Sequence, residues 1–282
     1  DLLVCRTEYD LSNELRKKLA LFCNVREDAV IQSIDVGTIY DVPIKMLQEG
    51  LDKVVLNKLK LKSKPHKLDE WNSFLKKYKN PKGKVRIGLV GKYVELQDSY
   101  KSILEASIHA GAVNEVEVEI VSIHSEFLSQ TNIEEQLKSL DGLIVAPGFG
   151  ERGIEGKISA INYVRENKIP FFGICLGMQL FFDNSSEFGN TAGLGLLKGN
   201  VKKFDLKKTN YIPHMNWNNI KFSGLNQNKI TKRLNQKYFY FVHSFYCDPE
   251  NDKNILTTSR FNKQEFCSSI LSKNILGTQF HP

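Results

Sequence analysis

The sequence predicts an α/β protein, with a doubly wound, mostly parallel sheet in the middle of the chain and a β-rich half after it. Three observations carry this. From Val85 to Ile174, short apolar runs alternate with amphipathic stretches of about a dozen residues, as strands alternate with crossover helices. Ile169-Pro170-Phe171-Phe172-Gly173-Ile174 leads into Cys175 and Gly177, and a new apolar run, Leu180-Phe181-Phe182, follows; that reads as a strand, a very tight turn and a helix. After Gly189 the chain becomes a series of short aromatic and β-branched runs separated by polar turns.

In order along the chain, Leu2–Cys5 and Ala29–Ile34 read as strands, with a helix from Glu14 to Leu21 between them. Pro43 to Glu49 is a helix closed by Gly50. This first stretch, 1–62, is too short for a complete α/β domain and reads as the tail of one. Residues 63–84 hold two prolines, a glycine and many lysines around a short helix from Asp69 to Tyr78, the composition of a linker. A second domain, 85–282, begins with a buried strand, Val85 to Val90. Helices at Asp98 to Ala110, Ile133 to Leu140 and Gly156 to Glu166 alternate with strands at Val116 to Ile123, Gly142 to Ala146 and Pro170 to Ile174. Six strand-like runs follow: 193–197, 200–204, 212–217, 238–246, 264–270 and 275–280. A helix is expected only near 224–234.

At 282 residues the chain is long enough for one large domain, or one domain and part of another. No apolar run approaches the roughly 20 residues that span a bilayer, so no membrane association is expected. The start, Asp1-Leu2-Leu3-Val4-Cys5-Arg6, lacks the pattern of a signal peptide. Both ends read as cuts in a longer protein. The net charge of +7 comes from lysines spread over many segments without an aromatic-interleaved basic stripe, which argues against a nucleic-acid partner. Five cysteines at irregular spacings, with no Cys-x-x-Cys pair, indicate a reducing, cytoplasmic setting without disulfides or a metal site.

Cys175 is the candidate nucleophile. Flanking glycines suit a strained strand-to-helix turn, and a helix N-terminus behind it favours a thiolate. Open α/β sheets place their sites at the carboxyl ends of the strands, where both Cys175 and Pro147-Gly148-Phe149-Gly150 fall. A thiol nucleophile needs a base, and His281, His243 and His214 are candidates in that order; spacing alone does not separate His281 from His243. Acyl transfer also needs an oxyanion hole, for which the Leu176 N–H and the Gly148–Gly150 turn are the candidate donors. Together these residues indicate thiol-dependent hydrolysis of an amide or ester.

Gly173-Ile174-Cys175-Leu176-Gly177-Met178-Gln179, with Pro147-Gly148-Phe149-Gly150 upstream and Gln279-Phe280-His281-Pro282 downstream, resembles the class I (triad) glutamine amidotransferases. The resemblance implies a flavodoxin-like fold, L-glutamine as substrate and no cofactor in the glutaminase domain. It makes Cys175 the nucleophile and His281 the base, puts Gly177 and Met178 in the glutamine-binding segment, and places the triad Glu at position 283. Residues 1 to about 179 resemble CTP synthase through 18–25, 35–43, 90–102 and 146–157. By that resemblance 1–62 is the end of a P-loop-type amidoligase domain that uses ATP and Mg, with Lys18, Ile34, Asp35 and Val36 as weak nucleotide contacts, in a homotetramer. From about Leu180, the runs 180–187, 193–199, 213–218 and 238–246 resemble the glutaminase subunit of imidazole glycerol phosphate synthase, a histidine-biosynthesis enzyme whose partner is a cyclase subunit. There Glu187 and Gln179 hold the glutamine amino group and the backbone around Ser244-Phe245 holds its carboxylate. Asn216, in Pro213-His214-Met215-Asn216-Trp217, stands where that second family has glycine. The ammonia acceptor is thus CTP synthase's UTP site or, alternatively, the imidazole pathway's intermediate; a non-catalytic glutamine-binding module is the third reading.

Overall fold

The two apolar runs at the start of the chain pair in parallel, as β1 (Leu3–Thr7) and β2 (Val30–Ile34), Leu3 opposite Val30. The computed structural model describes all residues except 63, 149, 151, 188, 224–232 and 274, and the side chain of Gln97. It divides into two compact units, Asp1–Asn80 and Pro81–Pro282. In the first, α1 (Asn13–Phe22) starts where the Ser12 hydroxyl accepts the Leu15 N–H. Then come α2 (Val42–Gln48) and α3 (Leu51–Leu59), and Ala29, Ile31 and Val54 form the buried core. The sequence reading stopped at Gly50 and missed α3. Gly50, at φ +76°, ends one helix and lets the next begin at once. α4 (Asp69–Lys79) lies inside the stretch expected as a linker, 63–84. It belongs to the first unit, because Trp71, Phe74 and Tyr78 pack on Tyr40 and the Trp71 Nε1–H donates to the Tyr40 carbonyl at 3.0 Å.

The second unit opens with β3 (Gly83–Gly91), α5 (Lys101–Asn114), β4 (Val116–His124), α6 (Ile133–Leu137), β5 (Gly142–Val145), α7 (Ile154–Glu166), β6 (Phe171–Ile174) and the one-turn α8 (Leu176–Gln179). The β-rich half supplies β7 (Phe182–Ser185), β8 (Thr191–Ala192), β9 (Leu197–Lys203), β10 (His214–Asn219), β11 (Lys221–Phe222), β12 (Tyr238–His243), β13 (Phe245–Pro249), β14 (Ile255–Phe261), β15 (Gln264–Ser272) and β16 (Ile275–Thr278). Among the described residues a twelve-stranded sheet runs β4-β3-β5-β6-β16-β15-β13-β9-β7-β8, with β14 and β11 branching from β15. β4, β3, β5, β6 and β16 are parallel to one another, and the sheet turns antiparallel at β15. β10 and β12 form a separate antiparallel pair.

Alternate residues of the parallel strands feed opposite faces, as a period of two requires. Leu89 and Ile174 pack with Tyr100 and Ile103 on one face, whereas Val90, Val145 and Phe171 pack with Ala160, Ile161 and Val164 of α7 on the other. Two expected elements differ. Of the run 193–197 only Leu197 is in a strand, as the first residue of β9: Gly195 turns at φ +59°, and the amides of 194–197 bond to the carbonyls of Leu180, Phe181 and Phe182. The run 238–246 breaks at Ser244 into β12 and β13, which pair with different neighbours. The helix expected near 224–234 falls largely outside the described residues.

The close approach of α7 to the turn after β4 gives a test. A Cβ on Gly156 would lie 1.7 Å from the Ser125 carbonyl oxygen. Helix propensity alone makes Gly→Ala favourable by about 1 kcal/mol. Here overpacking, typically about 1–3 kcal/mol, is set against backbone and dominates. Gly156→Ala should therefore lower the free energy of unfolding in urea denaturation; a stabilised variant would contradict the packing.

Candidate active site

Cys175 sits between β6 and α8 at φ 54°, ψ −108°, in the left-handed half of the map where a side chain costs about 1–3 kcal/mol. The surroundings hold it there. Its N–H donates to the Thr278 carbonyl at 2.7 Å, and its own carbonyl accepts from Met178 and Gln179 at 3.0 and 3.2 Å. The flanking glycines are required by contact. A Cβ on Gly173 would lie 2.5 Å from the Gly177 carbonyl, and one on Gly177 would lie 2.5 Å from the Val145 carbonyl oxygen.

The expectation of a helix-stabilised thiolate is not met. α8 is only four residues long, so little macrodipole stands behind the sulfur. Burial pushes the Cys175 thiol up to about 11, with the Glu187 carboxylate adding to the rise. The Leu176 N–H, the Lys157 ammonium and the Gln279 amide pull the other way, in that order.

Cys175 forms part of the wall of a cavity of about 500 Å³. Of the residues expected at the site, Gly148, Gly150, Leu176, Gln179, Glu187 and Ser244 line the same cavity. Phe149, between the two glycines of the expected oxyanion turn, lies outside the described residues. Gly150 has φ +76°, with open space where a side chain would be. Glu187 is half-buried, and burial raises its carboxyl above the ordinary range. Among the described residues no lysine, arginine or histidine forms an ion pair with it. Ser244 occupies the break between β12 and β13, where its carbonyl accepts the Phe204 N–H at 3.1 Å.

Gly177 and Met178 do not reach the cavity. The turn of α8 drives Met178 into the core, fully buried against Gly277, and seats Gly177 on Val145. Gln179 lines the cavity, but its side-chain NH2 donates to the Phe245 carbonyl and to the Gln279 Oε1, both at 3.1 Å. Gln279 in turn directs its Nε2 at the Cys175 sulfur, 3.4 Å away. The sequence reading missed Gln279 although it stands two residues before His281.

β16 runs parallel to β6 with Thr278 opposite Ile174, so His281 leaves the sheet at the same edge as Cys175. Its N–H bonds the Tyr240 carbonyl at 2.9 Å. Burial lowers its pKa, so the ring is neutral at pH 7. Among the described residues its Nε2 is buried without a hydrogen-bond partner, and no hydrogen bond joins it to Cys175. His243 lines the cavity, yet both its ring nitrogens are engaged. Nδ1 faces the Phe245 carbonyl at 2.7 Å and must donate; Nε2 then accepts from the His214 Nδ1 at 3.2 Å. Desolvation lowers these two rings to about 3 and about 4, keeping both neutral. That separates the two candidate bases: only His281 has an uncommitted nitrogen.

In the first unit Lys18 stands on the exposed face of α1, and Ile34, Asp35 and Val36 lie at the end of β2, where Asp35 pairs with Arg6 at 3.1 Å. Among the described residues no group of three or more His, Cys, Asp or Glu is placed to hold a metal ion. No helix among them is long and apolar enough to cross a membrane.

Comparison with known proteins gives two family matches: Glutamine amidotransferase class-I over residues 95–282 and CTP synthase N-terminus over residues 1–61. The CTP synthase of Flavobacterium psychrophilum is 70% identical over 182 residues, 64% of this chain and 34% of that protein. That of Methanocaldococcus jannaschii is 54% identical over 185 residues, again 64% of this chain and 34% of the relative. The chain thus spans about a third of the length of these curated relatives. Among solved structures, the Trypanosoma brucei CTPS glutaminase domain with bound acivicin superposes with a TM-score of 0.53 at 25% identity, covering 70% of this chain and 86% of that one.

The Gln179–Gln279 bridge gives a test of the site's construction. Gln279→Leu leaves the Gln179 amide short of an acceptor and removes the donor facing the sulfur. An unsatisfied buried polar group costs about 1–3 kcal/mol. Urea denaturation should show a loss of that size; an unchanged midpoint would show that the bridge contributes nothing.

Proposed function

Since the chain belongs to the class I glutamine amidotransferase family, we propose that it hydrolyses L-glutamine to glutamate and ammonia at Cys175 and passes the ammonia to a synthase site of the CTP synthase type. The observation that carries this is Cys175, held at positive φ in the wall of a cavity that also contains a half-buried Glu187 carboxylate, without an ion-pair partner among the described residues. A carboxylate so placed suits the ammonium group of an amino acid.

In this reading Glu187 takes the glutamine amino group, and the backbone around Ser244 takes its carboxylate. The His281 Nε2 accepts the thiol proton, and the Cys175 sulfur attacks the side-chain amide carbon. The tetrahedral oxyanion receives the Leu176 N–H and a donor from the Gly148–Gly150 turn. His281 returns its proton to the departing nitrogen, so ammonia leaves and a thioester remains. Water, deprotonated by His281, hydrolyses the thioester to glutamate and restores the thiol. Gln179 and Gln279 act as braces that set the sulfur's position.

Residues 1–80, α4 included, read as part of a CTP synthase-type amidoligase domain and 81–282 as the amidotransferase domain. The acceptor is then UTP, converted to CTP in an ATP-dependent ligase reaction of pyrimidine biosynthesis. A cytoplasmic location and a homotetrameric synthase partner go with it. ATP and magnesium serve that reaction in the CTP synthase type, with Lys18, Ile34, Asp35 and Val36 as the residues of this chain toward the nucleotide. Lys18 is exposed, Asp35 is tied to Arg6, and among the described residues no metal-ligating cluster accompanies them. No step is assigned to either. A second reading, a glutamine-binding module without turnover, is favoured by one observation: no hydrogen bond joins neutral His281 to a thiol raised to about 11.

Ammonia release separates the two. The protein should release ammonia from glutamine, and Cys175→Ala should lower the rate more than about 1,000-fold. Calorimetric glutamine binding without ammonia release would favour the module. Glu187→Gln should raise KM about 10- to 100-fold, the worth of a charge-assisted hydrogen bond. Burial raises the Glu187 carboxyl, so its ionised form is lost as pH falls through a value above the ordinary carboxylate range. Glutamine affinity should weaken through that window in the wild type, and Glu187→Gln should abolish this pH dependence.

A further inference from the structure

The proposed steps make no use of Lys157. It lies on the inner face of α7, in line with Ala160, Ile161 and Val164, all fully buried, and is itself 1% exposed. An ammonium in a core position is costly, and an apolar side chain would suit that helix face better. Yet its Nζ has a defined place. It donates to the Ala146 carbonyl at 2.8 Å, and it lies 3.3 Å from where a Gly148 side chain would begin. Ala146 and Cys175 belong to one buried cluster, and Gly148 and Cys175 line the same cavity, so the charge and the sulfur share one low-dielectric region.

We propose that Lys157 is a positioning residue for the nucleophile: its buried ammonium, bonded to the Ala146 carbonyl beneath the Gly148 turn, holds positive charge against Cys175 and enlarges the fraction present as thiolate. This rests on Cys175 being the nucleophile. Lys157 keeps its proton throughout; the thiol proton goes to His281 or to solvent. Among the described residues, the charged side chains that act on the pair are Lys92 and Glu187. Lys92, 7% exposed beyond the end of β3, approaches the same point of Gly148 to 3.4 Å and opposes the charge on Lys157. Glu187 opposes the thiolate from the cavity, and the Leu176 N–H and Gln279 amide support it. Burial lowers Lys157 to about 8, so it is mostly charged at neutral pH and titrates within reach of experiment.

The test is the pH dependence of Cys175 alkylation by iodoacetamide, followed by peptide mass spectrometry because Cys5 and Cys23 are also free thiols outside the core. Turnover is not required, so a failed glutaminase reading and a failed role for Lys157 give different results. Two variants separate charge from support: Lys157→Gln keeps a donor for the Ala146 carbonyl without the charge, and Lys157→Met removes both. In each, Cys175 should react about tenfold more slowly at pH 7.5 for every unit by which its thiol pKa rises. In the wild type the slope of log rate against pH should fall below one as Lys157 deprotonates above about pH 8; in both variants it should remain one. Melting of Lys157→Met should be unchanged or higher, as for other buried charges replaced by apolar groups. Wild-type rate and slope in a folded Gln variant would overturn the proposal. So would failure of both variants to fold, which would make the lysine a structural prop alone.

Discussion

The parallel pairing of β6 with β16 is the constraint on which the site depends. It joins segments about a hundred residues apart, and the first amide past β6, that of Cys175, bonds the last carbonyl of β16, that of Thr278. This bond offsets the strain of holding a cysteine at positive φ. The same register delivers Gln279 to the sulfur and His281 to the same edge of the sheet. The tight turn and the proposed base are thus consequences of one strand pairing. The glycines on either side of Cys175 let α8 pass against β5 and β6 at backbone distance.

Around this turn the molecule holds a buried polar chain. His214 faces His243, His243 and Gln179 share the Phe245 carbonyl, and Gln179 and Gln279 carry the chain to Cys175. Its two imidazoles are neutral because burial penalises the charged form, and their tautomers follow from the one carbonyl that must receive a proton. A satisfied network of this kind fixes geometry more than it adds net stability. Its function here is to hold β12, β13 and α8 in register around the cavity, which is why His243, in the cavity wall, is poorly suited to be the base.

Much of this was legible in the sequence, for physical reasons. The alternation from Val85 to Ile174 gave the parallel strands, because each apolar run is bounded by turn residues. Gly173-Ile174-Cys175-Leu176-Gly177 gave the tight turn at Cys175, because only glycine tolerates the contacts at 173 and 177. Other features depend on contacts between distant segments. Lys157 reads locally as one more lysine on a helix, and only the tertiary fold buries it. Gln279 acquires meaning through Gln179, one hundred residues away. Met178 lies within the recognised motif but faces the core, because a single helical turn sends consecutive residues in different directions. α3 was overlooked because Gly50 reads as a stop, whereas a left-handed residue can also join two helices. Neither the thiol's high pKa nor the shortness of α8 can be inferred from glycine spacing.

In the proposed reaction Cys175 attacks a glutamine side chain bound in the adjoining cavity. The most direct measurement is intact-protein and peptide mass spectrometry after incubation with an electrophilic glutamine analogue. One covalent adduct is expected, confined to Cys175 and suppressed by excess L-glutamine. Labelling that is indifferent to glutamine, or that falls on other cysteines while Cys175 stays unmodified, would contradict it.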